Sequence, residues 1–147
     1  MIIDIEKLEV LRPLGYGGSA TVWLARDPAR RDPFGWPALF AVKQVHKAQL
    51  TDTQCSKHVT RVLVEREALD ATSEHPFIST CYTTFQNRDS LFFVLDFAPG
   101  SDLFVLTSGP NESQVALPNT QARFYTACVA LALKHMHALG WAYRDLK

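Results

Sequence analysis

The first half of the chain alternates between short apolar runs and polar breaks. Residues 8–14 are apolar-rich and stop at Gly15, with Pro13 near the end of the run, where a missing N–H is tolerable. Residues 20–25 (ATVWLA) and 39–45 (LFAVKQV) are two further runs with β-branched residues. Between them, residues 27–37 carry three prolines and one glycine and are expected to form an exposed loop. From residue 51 to 71 the period changes. Val62, Glu65 and Leu69 are spaced three and four apart and share one helical face. Residues 73–76 break that helix. Residues 77–85 and 91–97 then predict two strands joined by the polar turn QNRDS, a hairpin.

The second half is helical. Residues 98–101 are a turn, and residues 108–118 a loop with Gly109, Pro110 and Pro118. Asn119 is the expected N-cap of a helix over 120–139. Its apolar stripe runs from Phe124 and Cys128 through Leu131 and Met136 to Leu139, and Gly140 takes the C′ position. The chain then reaches the charged turn Tyr143-Arg144-Asp145-Leu146-Lys147. Five strands with one main helix, followed by helices, predict an α+β fold. Residues 1–97 form a small lobe, and residues 98–147 open a larger one.

Composition narrows the function. The 147 residues are 47% hydrophobic and 20% charged, an ordinary globular mix that excludes disorder, collagen-like repeats and a coiled coil. Fifteen basic and fifteen acidic residues cancel, so nothing favours nucleic acid by bulk electrostatics. Cys55, Cys81 and Cys128 are odd in number and form no C-x-x-C pair, which argues against a disulfide framework or a zinc site. His135 and His137 are two apart and make a poor metal pair. His46, His58 and His75 read as surface or loop residues. The N-terminus lacks a basic, long-apolar leader, and no stretch is long enough to span a membrane. The expected compartment is reducing, intracellular and cytoplasmic.

Three segments carry chemistry. Residues 15–22 (GYGGSATV) form a Gly-rich turn. A dinucleotide-binding turn needs a helix directly after its glycines, whereas Thr21-Val22-Trp23-Leu24 predicts a strand. In a strand–turn–strand setting the glycines let backbone N–H groups close over phosphates, though a plain hairpin turn has the same composition. Lys43 ends an apolar strand. It is either a snorkelling edge lysine or a neutraliser of nucleotide phosphates, with Glu65 as a candidate partner. Asp145 sits beside Arg144 and Lys147 directly after a helix, a context that suits a catalytic turn.

Together these segments resemble a eukaryotic protein kinase from about residue 8 to the end. Gly15, Gly17 and Val22 match the loop G-x-G-x-x-G-x-V, with Ala20 in place of the third glycine. Ala41-Val42-Lys43 is similar to the V-A-I-K strand, and residues 143–147 to the H-R-D signature, with Tyr143 for histidine. Glu65-Arg66-Glu67-Ala68-Leu69, His75-Pro76-Phe77-Ile78 and Pro99-Gly100-Ser101-Asp102-Leu103-Phe104 resemble the AGC group of serine/threonine kinases, phototropin-like and cyclic-GMP-dependent kinases alike.

The resemblance implies ATP, Mg²⁺ and a protein substrate with a Ser or Thr acceptor. Lys43 would contact the α/β-phosphates and pair with Glu65, Glu67 being the lesser candidate. Gly15, Gly17 and Ala20 would cover the phosphates. Val22 and Ala41 would enclose adenine, with Leu95 as gatekeeper and Asp96, Phe97 and Ala98 as hinge. Asp102 would reach the ribose. Asp145 would orient the acceptor hydroxyl and take its proton, and Lys147 would steady the γ-phosphate. Leu69, Cys81 and Tyr143 match a hydrophobic stack, and Cys81 reads as a small apolar group rather than a redox site. The D-F-G and A-P-E motifs and the catalytic-loop asparagine do not occur in the sequence. The expectation is therefore a partial catalytic domain, inactive alone, whose metal ligands lie downstream and whose long helix exposes apolar side chains. The alternatives are a non-catalytic nucleotide-binding or scaffolding fragment of the same fold and, more remotely, a dinucleotide-dependent oxidoreductase.

Overall fold

The computed structural model describes residues 3–18, 20–50, 55–100, 102–108 and 115–146. The chain divides into two compact units. One comprises Met1–Ser73 and Ser79–Phe97, the other Glu74–Ile78 and Ala98–Lys147.

The first unit is built on five strands: β1 (Glu9–Tyr16), β2 (Ala20–Arg31), β3 (Pro37–His46), β4 (Cys81–Gln86) and β5 (Ser90–Asp96). They form one antiparallel sheet in the order β1-β2-β3-β5-β4. Pro13 is accommodated because β1 is an edge strand, and the ladder slips on either side of its short paired segments. Strand alternation separates two faces. On one, Val45 and Phe93 are buried, with Ala20, Leu91, Leu95 and Cys81 packed around them. Helix α1 (Cys55–Ala71) adds Val62 and Leu69 to this cluster. The other face buries Ala25, Phe40, Val42 and Val94 under Ile3. It also keeps an apolar groove of about 350 Å³ bordered by Ile5, Val10, Trp23 and Phe92.

The turns are fixed by side chains. Asn87 Oδ1 accepts the N–H groups of Asp89 and Ser90 at 2.9 and 2.8 Å, closing the β4–β5 hairpin. Lys47 Nζ donates to Gln86 Oε1 and the Asn87 carbonyl, clamping the end of β3 to that turn.

The second unit contains α2 (Leu103–Thr107) and α3 (Asn119–Ala138). Helix α3 ends in a Schellman arrangement. The Gly140 N–H donates to the His137 carbonyl and the Trp141 N–H to the Met136 carbonyl, with Gly140 at φ +81°. His135 stacks on His75 with ring centroids 4.8 Å apart. Helix α3 has no fully buried residue, and Phe124, Leu131 and Leu139 are exposed.

The five-stranded antiparallel sheet and main helix expected from the sequence are present, with three local corrections. Residues 27–37 are not all loop, because β2 continues through Arg31 and β3 begins at Pro37. Residues 77–80 are not strand. They turn, and β4 starts only at Cys81. Asn119 is the first helical residue rather than the cap: Pro118 holds the cap position without a side-chain bond, its fixed φ sufficing to start the helix. Between the turn at 98–101 and the loop that begins at 108, the chain forms α2, which Asp102 caps. The start of the expected helix, residues 51–54, lies outside the described residues.

Gly140→Ala puts a Cβ on a left-handed residue and is expected to cost about 1–2 kcal/mol. A lowered thermal midpoint at unchanged helicity checks this, and an unaltered midpoint contradicts it.

Candidate functional site

The site in the first unit is assembled by strand register. Lys43 lies opposite Val22 on β2 and opposite Phe93 on β5. All three therefore face the side of the sheet that carries α1. Its Nζ donates to Glu65 Oε1 at 2.5 Å and stands 6.0 Å from the Phe93 ring centroid, so the ammonium has a carboxylate and a π-face around it. Glu65 reaches inward because Val62 and Leu69, on the same side of α1, are anchored in the Val45–Phe93 cluster. The side chains of Lys43 and Glu65 remain 27% and 39% exposed, so the pair adds at most about 1 kcal/mol to stability. What the pair fixes is the position of a cation. Glu67, the lesser candidate, is exposed.

The Gly-rich turn joins β1 to β2. The Gly17 N–H donates to the Ala20 carbonyl at 2.7 Å, closing the turn. A Cβ on Gly15 or Gly18 would meet nothing within 4 Å, so the space beside these backbones is open. Thr21 onward is strand, as a phosphate-covering hairpin requires and a dinucleotide turn forbids. Ala41 lies opposite Leu95, the gatekeeper match, on the same face as Lys43.

Asp96 pairs with Phe40 and so belongs to the opposite face. Its Oδ2 accepts the Thr80 N–H at 2.8 Å and its Oδ1 the Tyr82 hydroxyl at 2.5 Å. The Tyr82 ring packs edge-on against Phe40 at 5.4 Å. Burial, and then the hydrogen bond to Asp96, push the Tyr82 hydroxyl up to about 12. Tyr82 and Thr80 were not singled out from the sequence. Only the pairing of β4 with β5 reveals that they tie down the end of β5. Cys81 sits in the α1-side cluster, and burial raises its thiol above the ordinary range, in keeping with a packing role.

The remaining expected site residues belong to the second unit. Ala98 is exposed just after the first unit ends. Asp102 is the N-cap of α2: its Oδ1 accepts the Val105 N–H at 3.0 Å. Asp145 is exposed, and Arg144 before it holds a left-handed φ of 56°. A non-glycine residue held there marks local backbone strain beside the acidic group. Tyr143 is half exposed, and Lys147 lies outside the described residues. Among the described residues no three His, Cys, Asp or Glu side chains converge to hold a metal, and no helix is long and apolar enough to cross a membrane.

Residues 8–147 match the protein kinase domain family. The chain is 38% identical over 144 residues to serine/threonine-protein kinase ppk22 of Schizosaccharomyces pombe, covering 97% of this chain and 25% of that protein. It is 36% identical over 144 residues to ribosomal protein S6 kinase alpha-1 of Mus musculus, covering 98% and 18%. Against serine/threonine-protein kinase ppk18 of Schizosaccharomyces pombe it is 32% identical, covering 98% and 10%. The chain belongs to the protein kinase domain family, and its relatives are serine/threonine kinases, S6 kinases of the AGC group among them. It spans about a quarter or less of the length of these relatives.

Tyr82→Phe removes the hydroxyl that holds Asp96 and is expected to destabilise the first unit by about 1–2 kcal/mol. Because the folded-state value is raised, this stabilisation is complete below pH 10 and is lost as pH rises toward 12. Urea unfolding of wild type and variant across that range should converge at the alkaline end. A gap that persists there contradicts the assignment.

Proposed function

We propose that this chain supplies the nucleotide-binding and catalytic-loop residues of an ATP-dependent protein kinase that phosphorylates serine or threonine. One observation carries the reading. The Lys43 ammonium is positioned by Glu65 on the α1 face of the sheet, in register with Val22 at the start of β2. The residues fit ATP: the turn beside Gly15 and Gly18 has room for an oxyanion, and a fixed cation stands on the same face as Val22 and Ala41. When bound, ATP supplies the γ-phosphoryl group and its leaving group. Lys43 would neutralise its phosphates, Val22, Ala41 and Leu95 would enclose the adenine, and the backbone of Asp96 and Ala98 would bond it. Asp102, already engaged as a cap through one oxygen, would offer the other to the ribose. Asp145 would orient the acceptor hydroxyl and take its proton, and Lys147 would steady the transferred group.

Among the described residues no three His, Cys, Asp or Glu side chains converge on one point. The sequence also lacks the D-F-G aspartate and the catalytic-loop asparagine that hold magnesium in this family. We therefore propose that the 147-residue chain does not transfer phosphate by itself and that, like its longer relatives, it works within a longer protein that sets the acceptor. The reducing cytoplasm is the setting that an odd number of cysteines, with Cys81 and Cys128 free, favours.

In the longer protein, Lys43→Ala and Asp145→Asn are each expected to lower Mg²⁺-dependent phosphorylation of a serine peptide at least about 100-fold. Lys43→Ala should raise the nucleotide Kd with little change in unfolding midpoint. Full activity in either variant would refute the assignment. Robust Asp145-dependent phosphorylation by the 147-residue chain alone would refute the proposed inactivity.

A further inference from the structure

Strands β2 and β3 continue beyond the sheet that holds the candidate site. The last pair between β1 and β2 is Glu9↔Arg26, and the last between β3 and β5 is Phe40↔Asp96. Residues 27–39 therefore project as a two-stranded arm with no flanking strand, paired at Asp27↔Ala38 and Arg31↔Pro37. Its base is fixed by the buried Asp27, whose carboxylate accepts the Ala29 N–H at 2.9 Å and meets Arg30 Nε at 3.1 Å.

The tip is organised around Asp32. Its Oδ1 accepts the N–H groups of Phe34 and Trp36 at 2.9 and 2.8 Å. Its own N–H donates to the Trp36 carbonyl at 2.8 Å, and its carbonyl accepts the Gly35 N–H at 3.0 Å. Gly35, at φ +86°, makes that turn possible. Pro33 and Pro37 bring no N–H at all. Every backbone donor from residue 32 to 37 is thus satisfied within the tip. Yet Phe34 is 87% exposed and Trp36 70%.

These features favour entry into an apolar medium. Leaving water normally strands backbone donors at a cost, and here none would be stranded. A bonded turn cannot readily fold its rings away. Behind the rings, the Arg31 guanidinium bonds the carbonyls of Pro28 and Arg30 and meets no carboxylate among the described residues. We propose that this arm is a membrane-surface anchor. Phe34 and Trp36 enter the headgroup–acyl boundary of an anionic lipid surface, and Arg31 lies among the acidic headgroups. The order of aromatic tip followed by cation matches the layering of that interface. A projecting convex tip also suits a surface that needs no complementary pocket.

The test is co-sedimentation of the chain with vesicles of phosphatidylcholine, alone or mixed with phosphatidylserine. Wild type is expected to sediment with the mixed vesicles, and its tryptophan emission should be quenched by brominated acyl chains. Phe34→Ser with Trp36→Ser should weaken binding at least about tenfold and abolish the quenching, with an unchanged unfolding midpoint because both residues are exposed. Arg31→Gln should weaken binding to the mixed vesicles about fivefold and leave the neutral ones unaffected. Wild type remaining in the supernatant with both vesicle types overturns the proposal, as does equal sedimentation of the double variant. Self-association through Phe34 and Trp36 without vesicle binding, for instance by seating the tip in the Trp23–Phe92 groove of a second copy, also overturns it and assigns the arm to a protein partner.

Discussion

Lys43 keeps its place because β3 is the middle strand of the sheet. Val22 holds it from one side and Phe93 from the other, and the flanking Val42 and Gln44 point to the opposite face. A slip of one residue along either ladder would turn the ammonium to the outer face and bring Val42 or Gln44 toward α1. Burial forbids that slip, since Val45 and Val42 are each packed in a different core. The ion pair with Glu65 follows from this register and from the anchoring of α1. At 2.5 Å and partly exposed, it is a consequence of the packing and contributes little to holding it. The cation is thereby presented on the α1 face without being buried, which leaves it accessible to an anionic ligand.

The same alternation explains the division of labour at the end of β5. Leu95 lies on the Lys43 side, while Asp96 turns to the other and is taken up by Thr80 and Tyr82. The carboxylate is committed to structure, so what Asp96 can offer a ligand is its backbone. Asp102 likewise serves the fold, its Oδ1 capping α2.

Much of this was legible in the sequence. Apolar runs located the sheet, the three-and-four spacing of Val62, Glu65 and Leu69 identified the inward face of α1, and the motif order pointed to Lys43 and Asp145. The misreadings arise where local punctuation is overruled by a bond or a backbone angle that composition does not show. Proline at 28 and 33 signalled a loop, yet Asp27 absorbs the irregularity and β2 runs on to Arg31. Asn119 looked like a cap, yet Pro118 already supplies the required backbone angle. Tyr82 and Thr80 carry no local signal, since their value lies in a strand pairing 14 and 16 residues away. The Asp32 cage in the β2–β3 turn is likewise invisible to a composition that reads only as an exposed loop.

The central claim is that Lys43 and Glu65 act as one unit toward nucleotide. A double-mutant cycle on nucleotide affinity in the longer protein tests it most directly, using Lys43→Met, Glu65→Gln and the pair together. If Glu65 works by positioning Lys43, Glu65→Gln weakens binding when Lys43 is present and adds little once Lys43 is gone. Independent, additive losses, or a Glu65→Gln variant that binds as wild type, would contradict the account.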